Sequence, residues 1–156
     1  MFEAFKNFVA DLASGDKDPA RFDHNDYRLA AAALLVHAAV IDGTISAAEQ
    51  DTLRELLQRR FALDDTATDE LVAQATAAEQ DSVDLYQFTR LLNGTLDEEG
   101  RARIIEMMWQ VAYADGHVSE FQDNLIWRAA DLLGVSSRER IALRQRIAAA
   151  RKSADG

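Results

Sequence analysis

The chain has 156 residues, of which 48% are hydrophobic, and this is typical of one domain with a buried core rather than of a disordered protein. Its formal net charge of −10, from 27 acidic and 17 basic residues, opposes binding to nucleic acids. Because the chain has no cysteine, the sequence excludes disulfides, thiolate zinc sites and cysteine nucleophiles.

The first dozen residues have an amphipathic pattern, with Phe2, Phe5, Val9 and Leu12 at the spacing of one helical face. This pattern predicts a short helix that docks on its own domain rather than on a membrane, because the segment lacks a polar face rich in Lys or Arg. The chain does not open with a basic stretch followed by an apolar run, so we expect a cytoplasmic protein without a signal peptide.

The second predicted helix covers about Asp26–Ile41, with Asp23 or Asn25 as its cap. It is apolar on nearly every side and should therefore lie between other helices, with His37 as its one polar interruption. Capping boxes and acidic caps indicate further helix starts at Ser46–Glu49, Asp64–Thr66, Ser82, Thr95–Glu98, Ser119–Gln122 and Ser136–Glu139. The corresponding helices are expected to end near Phe61, Glu79, Gly94, Ala114 and Gly134, apart from the last, which runs towards the end of the chain.

One motif occurs twice. Asp42-Gly43 and Asp115-Gly116 each end an apolar helix, and each is followed by x-Ile/Val-Ser before a new amphipathic helix. The repeat copies cover about residues 29–63 and 102–135. The sequence thus predicts an all-α fold, a single domain of seven or eight helices with an internal pseudo-two-fold repeat of helical hairpins. Residues 1–25 are assigned to an N-terminal helix and loop packed on a domain of residues 26–152.

The acidic residues around the two Asp-Gly turns allow two interpretations. In the structural one, Asp-Gly forms a turn and the acids stabilise helix N-termini. In the functional one, Asp42, Glu49, Asp115 and Glu120 form a carboxylate cluster for Ca²⁺, Mg²⁺ or Mn²⁺, because hard oxygen ligands suit these ions. Possible additional ligands are His37, five residues before Asp42, and Asp123.

Catalytic motifs are missing from the sequence. It has no Gly-x-Ser-x-Gly, no Gly-rich phosphate loop and no His-Glu-x-x-His, and Asp115, His117 and Ser119 crowd into one turn where Ser119 is better used as a cap. We therefore expect a protein that is not an enzyme and has no organic cofactor.

The last predicted helix is the basic segment of an otherwise acidic chain. Arg138, Arg140 and Arg144 form an interaction surface in this prediction, and their partner is the acidic surface of the same molecule, a second subunit or an anionic partner. A solvated face is the alternative, because basic residues late in a helix also suit its dipole. We expect a protein partner or self-association and no nucleic acid.

The duplicated motif resembles the TerB-like family of tellurite-resistance-associated domains, which also occur at the N-terminus of certain membrane-anchored DnaJ co-chaperones. The resemblance covers roughly Leu29–Ile147 and is closest at Ala-Tyr-Ala-Asp-Gly-His-Val-Ser-Glu, residues 112–120, with Leu-Leu-Gly-Val following at residues 132–135. The sequence departs from the family where Gln122 and His37 stand at positions that are often acidic.

The resemblance implies an all-helical fold with internal pseudo-symmetry and a metal bound by Asp42, Glu49, Asp115 and Glu120. It also implies a role in stress responses, including tellurite resistance, within assemblies that reach a membrane only indirectly. The expected function is a non-enzymatic module that binds a divalent metal and interacts with proteins. The alternative is a metal-independent helical scaffold or protein–protein interaction domain.

Overall fold

The computed structural model describes residues 22–23, 25–43, 45–81 and 85–155, with side chains up to residue 152. The predicted N-terminal helix, His24 and Ser82 lie outside the described residues. Seven helices and no strand occur in the described part, so the all-α prediction is confirmed there. The helices are α1 (Tyr27–Val40), α2 (Ala47–Phe61), α3 (Asp65–Asp81), α4 (Tyr86–Thr95), α5 (Glu98–Ala112), α6 (Glu120–Leu132) and α7 (Ser137–Asp155).

Helix α1 is the centre of the fold and packs against α2, α3, α4, α5 and α6. Ten of its residues are buried, and six of these are alanines. Small side chains shorten the distance at which two helices can pack, which lets several neighbours surround one helix. An apolar helix without a polar face thus becomes the core of the domain, as its sequence pattern predicts.

Helix α7 lies at the periphery, where it packs against α5 and α6. Among its described side chains only Leu143 is buried in the core, and Ile147 packs partly against it. Apolar burial therefore contributes less to the position of α7 than to that of α1, and several of its arginines make additional contacts with the rest of the domain, as described below. Across residues 22–155, leaving aside the gaps named above, no helix is both long and apolar enough to cross a membrane.

The glycines of the two Asp-Gly turns, one after α1 and one after α5, share one backbone conformation. Gly43 has a φ of 103° and Gly116 a φ of 102°, a region that L residues adopt only with strain, and this explains the glycine after each aspartate. A capping box then opens the next helix in both places. These local likenesses accord with the duplicated motif, while the pseudo-two-fold relation of residues 29–63 and 102–135 stays a prediction.

The predicted caps of α1 are wrong. Asp26 is the N-cap, and its Oδ1 accepts a hydrogen bond of 2.9 Å from the backbone N–H of Arg28. Asp23 instead accepts from the backbone N–H of Asn25 at 2.8 Å, one turn too early to cap the helix. The Arg28 side chain also bonds the Asp26 carboxylate, so the chosen cap makes both a cap bond and an ion pair.

The predicted start of α5 is also wrong. Thr95 is the last residue of α4, and its hydroxyl donates back to a carbonyl of that helix, while Asp97 caps α5 by accepting from Gly100 N–H at 2.8 Å. Asn93-Gly94, which the sequence predicts as the end of α4, lies inside this helix, and Asn93 has another role. Its side-chain amide donates to the Leu132 carbonyl at 2.9 Å, an interaction with α6 that the local sequence does not reveal.

Candidate functional site

Two capping boxes bring polar side chains to the starts of α2 and α6. Ser46 Oγ accepts from Glu49 N–H at 3.0 Å, and Glu49 Oε1 accepts from Ser46 N–H at 2.9 Å. In the second box Ser119 Oγ accepts from Gln122 N–H at 3.1 Å, and Gln122 Oε1 accepts from Ser119 N–H at 3.0 Å. Each box satisfies two backbone donors that a helix start leaves free, and it fixes the rotamer of its third residue.

The third residues of the two boxes meet in the core. Gln122 Nε2 donates to Glu49 Oε2 and to the Ala38 carbonyl, both at 2.9 Å. Glu49 and Gln122 are each only 2% exposed. The Glu49–Gln122 pair therefore joins α1, α2 and α6 at one buried point. Glu49 and Gln122 lie 73 residues apart, as do Asp42 and Asp115 in the sequence motif.

The Glu49–Gln122 pair leaves no polar side-chain atom of these two residues without a partner. Both hydrogens of the Gln122 amide are donated, its oxygen accepts one bond, and each oxygen of Glu49 accepts one. A buried polar group without a partner costs about 1 to 3 kcal/mol. A network satisfied in this way fixes one arrangement of the three helices, because any shift would leave one of its groups unpaired.

The four predicted metal ligands do not share one environment. Asp42 and Glu120 are exposed, and only Glu49 is buried. Asp115 is exposed as a residue and faces its own turn, where its Oδ1 lies 3.5 Å from His117 N and 3.8 Å from His117 Nδ1. Within the part of the chain that the structure describes, no group of three or more His, Asp or Glu side chains is placed to hold a metal ion.

This arrangement does not fit a multi-carboxylate cation site. Both oxygens of Glu49 accept hydrogen bonds from N–H donors, and the side chain opposite it carries an amide instead of a second carboxylate. A hard cation would have to displace that amide and bring the exposed acids inward. Metal binding by Asp42, Glu49, Asp115 and Glu120 therefore stays a prediction from the sequence.

The two possible additional ligands have partners elsewhere. His37 Nδ1 forms a hydrogen bond of 2.6 Å with Glu79 Oε1, which ties α1 to α3. Both side chains are partly buried, with 29% and 15% of their surface exposed. Asp123 Oδ1 accepts from Arg144 at 2.8 Å and so ties α6 to α7. In this structure both residues therefore link helices.

The basic helix α7 uses several of its arginines within the molecule. Arg144 donates to the Tyr113 hydroxyl at 3.0 Å, and its guanidinium lies 5.2 Å from the centre of the Trp109 ring. Arg146 bonds Glu106. Arg151 bonds the Ala114 carbonyl. Of the other predicted interaction residues, Arg138 is exposed and Arg140 is half-buried.

Sequence reasoning missed the role of Gln122. It recognised this residue as a capping-box member that cannot offer a charged ligand, but it did not place the residue against Glu49. Two features of the sequence could have indicated this contact. Glu49 and Gln122 are the third residues of two capping boxes in the repeated motif, and the amide of Gln122 can accept the local cap bond while it donates elsewhere. Sequence reasoning also missed Glu79 as the partner of His37, for which the sequence holds no local signal.

A comparison with protein families supplies the identification. The family model described as tellurite resistance protein TerB matches residues 28–145, about three quarters of the chain. The chain belongs to the TerB family. The match begins in α1 and ends in α7, so the TerB region contains the Glu49–Gln122 pair as well as both Asp-Gly turns. No curated protein and no solved structure matches the chain significantly.

Proposed function

We propose that this TerB-family chain is a non-enzymatic protein-interaction domain of a tellurite or general stress response, and that hydrogen bonds rather than a divalent cation join its two helical hairpins. The observation that carries the proposal is the amide of Gln122 bonded to Glu49 Oε2 in the core. The TerB family is not a known enzyme family, which supports the non-enzymatic part. The proposal also includes a cytoplasmic location. It further includes a relation to the N-terminal domain of membrane-anchored DnaJ co-chaperones.

The chemistry of the pair supports independence from metal. Ca²⁺, Mg²⁺ and Mn²⁺ bind best where several carboxylates converge, and the mutual repulsion of these groups is what the ion relieves. At the Glu49–Gln122 pair a neutral amide faces a single carboxyl group, so there is no such repulsion for an ion to relieve. The amide already donates a hydrogen bond to Glu49 Oε2, the position that a cation would have to share.

Helix α6 supports the interaction role. Phe121 is 63% exposed and Trp127 50% exposed on this helix. Large aromatic side chains are enriched at protein interfaces, where they supply most of the binding energy. The partner in this proposal is a protein or a second copy of the chain, because the net charge of −10 disfavours nucleic acid.

Thermal unfolding with and without added ions tests the metal part. We expect the Tm of the wild-type protein in EDTA to equal that in millimolar Ca²⁺, Mg²⁺ or Mn²⁺. A specific ion at 100 times its Kd would stabilise the folded state by about 2.7 kcal/mol and raise the Tm by several degrees. A Tm rise in the wild type that disappears in an Asp42→Asn/Asp115→Asn variant would overturn the proposal in favour of a metal-binding module.

A Phe121→Ser/Trp127→Ser double variant tests the interaction part. Because at least half of each side chain is exposed, the variant should remain folded, with a Tm somewhat below that of the wild type. We expect the wild type to associate with itself or with a co-purified protein partner in sedimentation velocity, and the double variant to lose that association. Unchanged association would exclude Phe121 and Trp127 as interface residues. The matched control is Arg128→Ser, which changes an exposed polar residue of the same helix.

A further inference from the structure

A groove between helix α7 and the turn after α5 carries positive charge on an acidic molecule. Its cavity volume is about 420 Å³, within the range of about 300 to 1,000 Å³ that small-molecule sites usually have. The groove is lined by Tyr113, Gly116, Gln145, Ala148, Ala149, Arg151 and Lys152. Two of these residues are cationic and none is acidic, whereas the whole chain has 27 acids and 17 bases. We call it the basic groove.

One face of α7 forms the floor of the basic groove. Gln145, Ala148, Ala149 and Lys152 stand at positions i, i+3, i+4 and i+7, the spacing of one helical face. Because the two alanines are small, they leave space in the middle of this face, and Tyr113 adds an aromatic wall. Gln145 and Lys152 lie about 10 Å apart along the helix axis. The floor is therefore short and apolar, with a polar group at each end.

The polar ends of the basic groove have hydrogen-bonding capacity that the rest of the domain does not use. Among the residues that the structure describes, none forms a hydrogen bond or an ion pair with the side chain of Gln145 or Lys152. Arg151 bonds the Ala114 carbonyl through Nη2, and its Nε is buried without a partner. Both cations of the groove thus lack a carboxylate partner in the described part of the chain. An anion that enters the groove would supply one.

We propose that the basic groove binds a small organic anion with a phosphate or carboxylate head and an apolar body about as large as a phenyl ring. Arg151 and Lys152 bind the head, because charge-assisted hydrogen bonds to oxyanions are stronger than those between neutral groups. The body lies on Ala148 and Ala149 beside the Tyr113 ring. The volume is sufficient for both parts, since a cavity of about 150 Å³ already binds benzene.

The acidic remainder of the molecule restricts the ligand to a small one. At physiological salt, charges more than about 8 Å apart are largely screened from each other. A single oxyanion in the basic groove therefore interacts mainly with Arg151 and Lys152, whereas a long polyanion would extend over acidic surface and be repelled. The lining includes neither the Glu49–Gln122 pair nor Phe121, so the inference does not depend on the proposed function.

Phenyl phosphate is the probe, titrated into the full-length protein and followed by amide NMR. We expect saturable shifts of the Gly116 and Ala149 backbone amides and of the Gln145 side-chain amide, with the amides of α1 unchanged. Inorganic phosphate, which is the head alone, should bind more weakly, and benzyl alcohol, which has no charge, should not bind. Phenylacetate in a parallel titration tests the carboxylate head. Binding of either aromatic anion supports the proposal, and their relative affinities identify the preferred head.

Two exposed cations of α7 give a matched pair of variants. Lys152→Gln removes a charge inside the groove and Arg138→Gln removes one outside it, so the net charge changes equally. We expect Lys152→Gln to weaken the binding of phenyl phosphate about three- to tenfold and Arg138→Gln to leave it unchanged. Ala149→Phe, at an exposed position, should fill the groove and reduce the affinity to that of inorganic phosphate or below, while the protein stays folded.

Three results would overturn the proposal. The first is an absence of shifts around the groove with millimolar phenyl phosphate and phenylacetate. The second is an equal loss of affinity in Lys152→Gln and Arg138→Gln, because this would assign the binding to the general charge of α7. The third is wild-type affinity in Ala149→Phe, which would place the ligand outside the groove.

Discussion

The Glu49–Gln122 pair depends on the amide at position 122. In a Gln122→Glu variant a second carboxyl group would lie about as close to Glu49 Oε2 as the amide nitrogen does now, at 2.9 Å in the core. Two carboxylates so close together repel each other strongly. One of them must therefore take up a proton, or a cation must lie between them. We expect the variant to lose about 3 to 5 kcal/mol at pH 8, the usual cost of an uncompensated buried charge. Urea unfolding measures the loss.

The pH and metal dependence of the variant distinguish charge from packing. One of the two carboxyl groups must hold a proton in the folded state, so the stability of Gln122→Glu should rise as the pH falls towards 5. Millimolar Ca²⁺ or Mn²⁺ should also restore part of it. The control Gln122→Met has a similar shape and no second carboxyl group, and its stability should not respond to Ca²⁺ or Mn²⁺. Equal responses of the two variants would refute this account.

Asp26 illustrates how one residue couples a cap to an ion pair. Burial raises the pKa of Asp26, but the hydrogen bonds and the charge of Arg28 outweigh it, and the net pKa lies below the usual value. A carboxyl whose folded pKa is lowered contributes stability above its unfolded pKa of about 3.9, and this stability is lost as the pH falls through the folded value. The contribution of Asp26 should therefore be complete at pH 7 and decline below about pH 4.

Asp26→Ala removes both the cap and the charge and should cost about 1 kcal/mol at pH 7. Asp26→Asn keeps a capping side chain and should cost less. The difference between the wild type and Asp26→Asn should shrink between pH 5 and pH 3, because the wild-type carboxyl then becomes protonated. Urea denaturation at both pH values measures this difference. A difference that stays constant over that range would show that the charge of Asp26 does not contribute.

At the scale of helices, α7 is attached through arginine side chains as well as through the burial of Leu143. Arg144 alone bonds Tyr113 and Asp123 and covers the Trp109 ring. Its side chain is 39% exposed, so solvent weakens these interactions. Arg144→Met keeps an apolar chain of similar length, and we expect it to cost about 1 kcal/mol.

Hydrogen exchange locates the effect of Arg144→Met. Amides of α7 should exchange faster in the variant, while those of the central helix α1 should change only by the global loss of stability. Arg138→Met on the same helix is the control, because Arg138 is exposed and its loss should change stability by less than about 0.5 kcal/mol. Equal effects of both variants would assign the docking of α7 to Leu143 instead.

The two Asp-Gly turns give a prediction for the hairpin connections. A Cβ added at Gly43 or Gly116 meets nothing within 4 Å, so backbone strain at φ near 100° is the whole cost of an alanine. Gly43→Ala and Gly116→Ala should each lose about 1 to 2 kcal/mol in thermal unfolding. Gly94→Ala in helix α4 has equal space and no unusual φ, and should gain about 0.5 to 1 kcal/mol. The same sign for all three would contradict this explanation.

At the scale of the whole molecule, the fold follows from one apolar helix surrounded by five amphipathic ones. The alanines and leucines of α1 specify its central position because they offer no polar face to water. The acidic surface carries the net charge of −10, and several arginines are used to attach α7. Two aromatic residues of α6, Phe121 and Trp127, are nevertheless exposed.

The sequence alone predicted the seven helices of residues 27–155 and most of their ends, because caps, turns and periodicity depend on residues within about four positions of each other. It also revealed the TerB resemblance. The wrong caps at Asp23 and Thr95 mark the limit of that local signal. At the start of α1, the residue that caps the helix is Asp26, which also bonds the Arg28 side chain. At the end of α4, Asn93 bonds the Leu132 carbonyl of α6, and the helix continues past it.

Only the tertiary structure decided which polar side chains meet. Gln122 reaches Glu49 across 73 residues, His37 reaches Glu79 across 42, and Arg144 reaches Tyr113 across 31. The sequence pattern predicts one cluster formed by the acids of both turns. In the structure Asp42 and Asp115 are exposed, and Glu49 is buried against the Gln122 amide. The physical reason is that the partner of a long polar side chain is set by the packing of helices around α1, and local spacing does not contain that information.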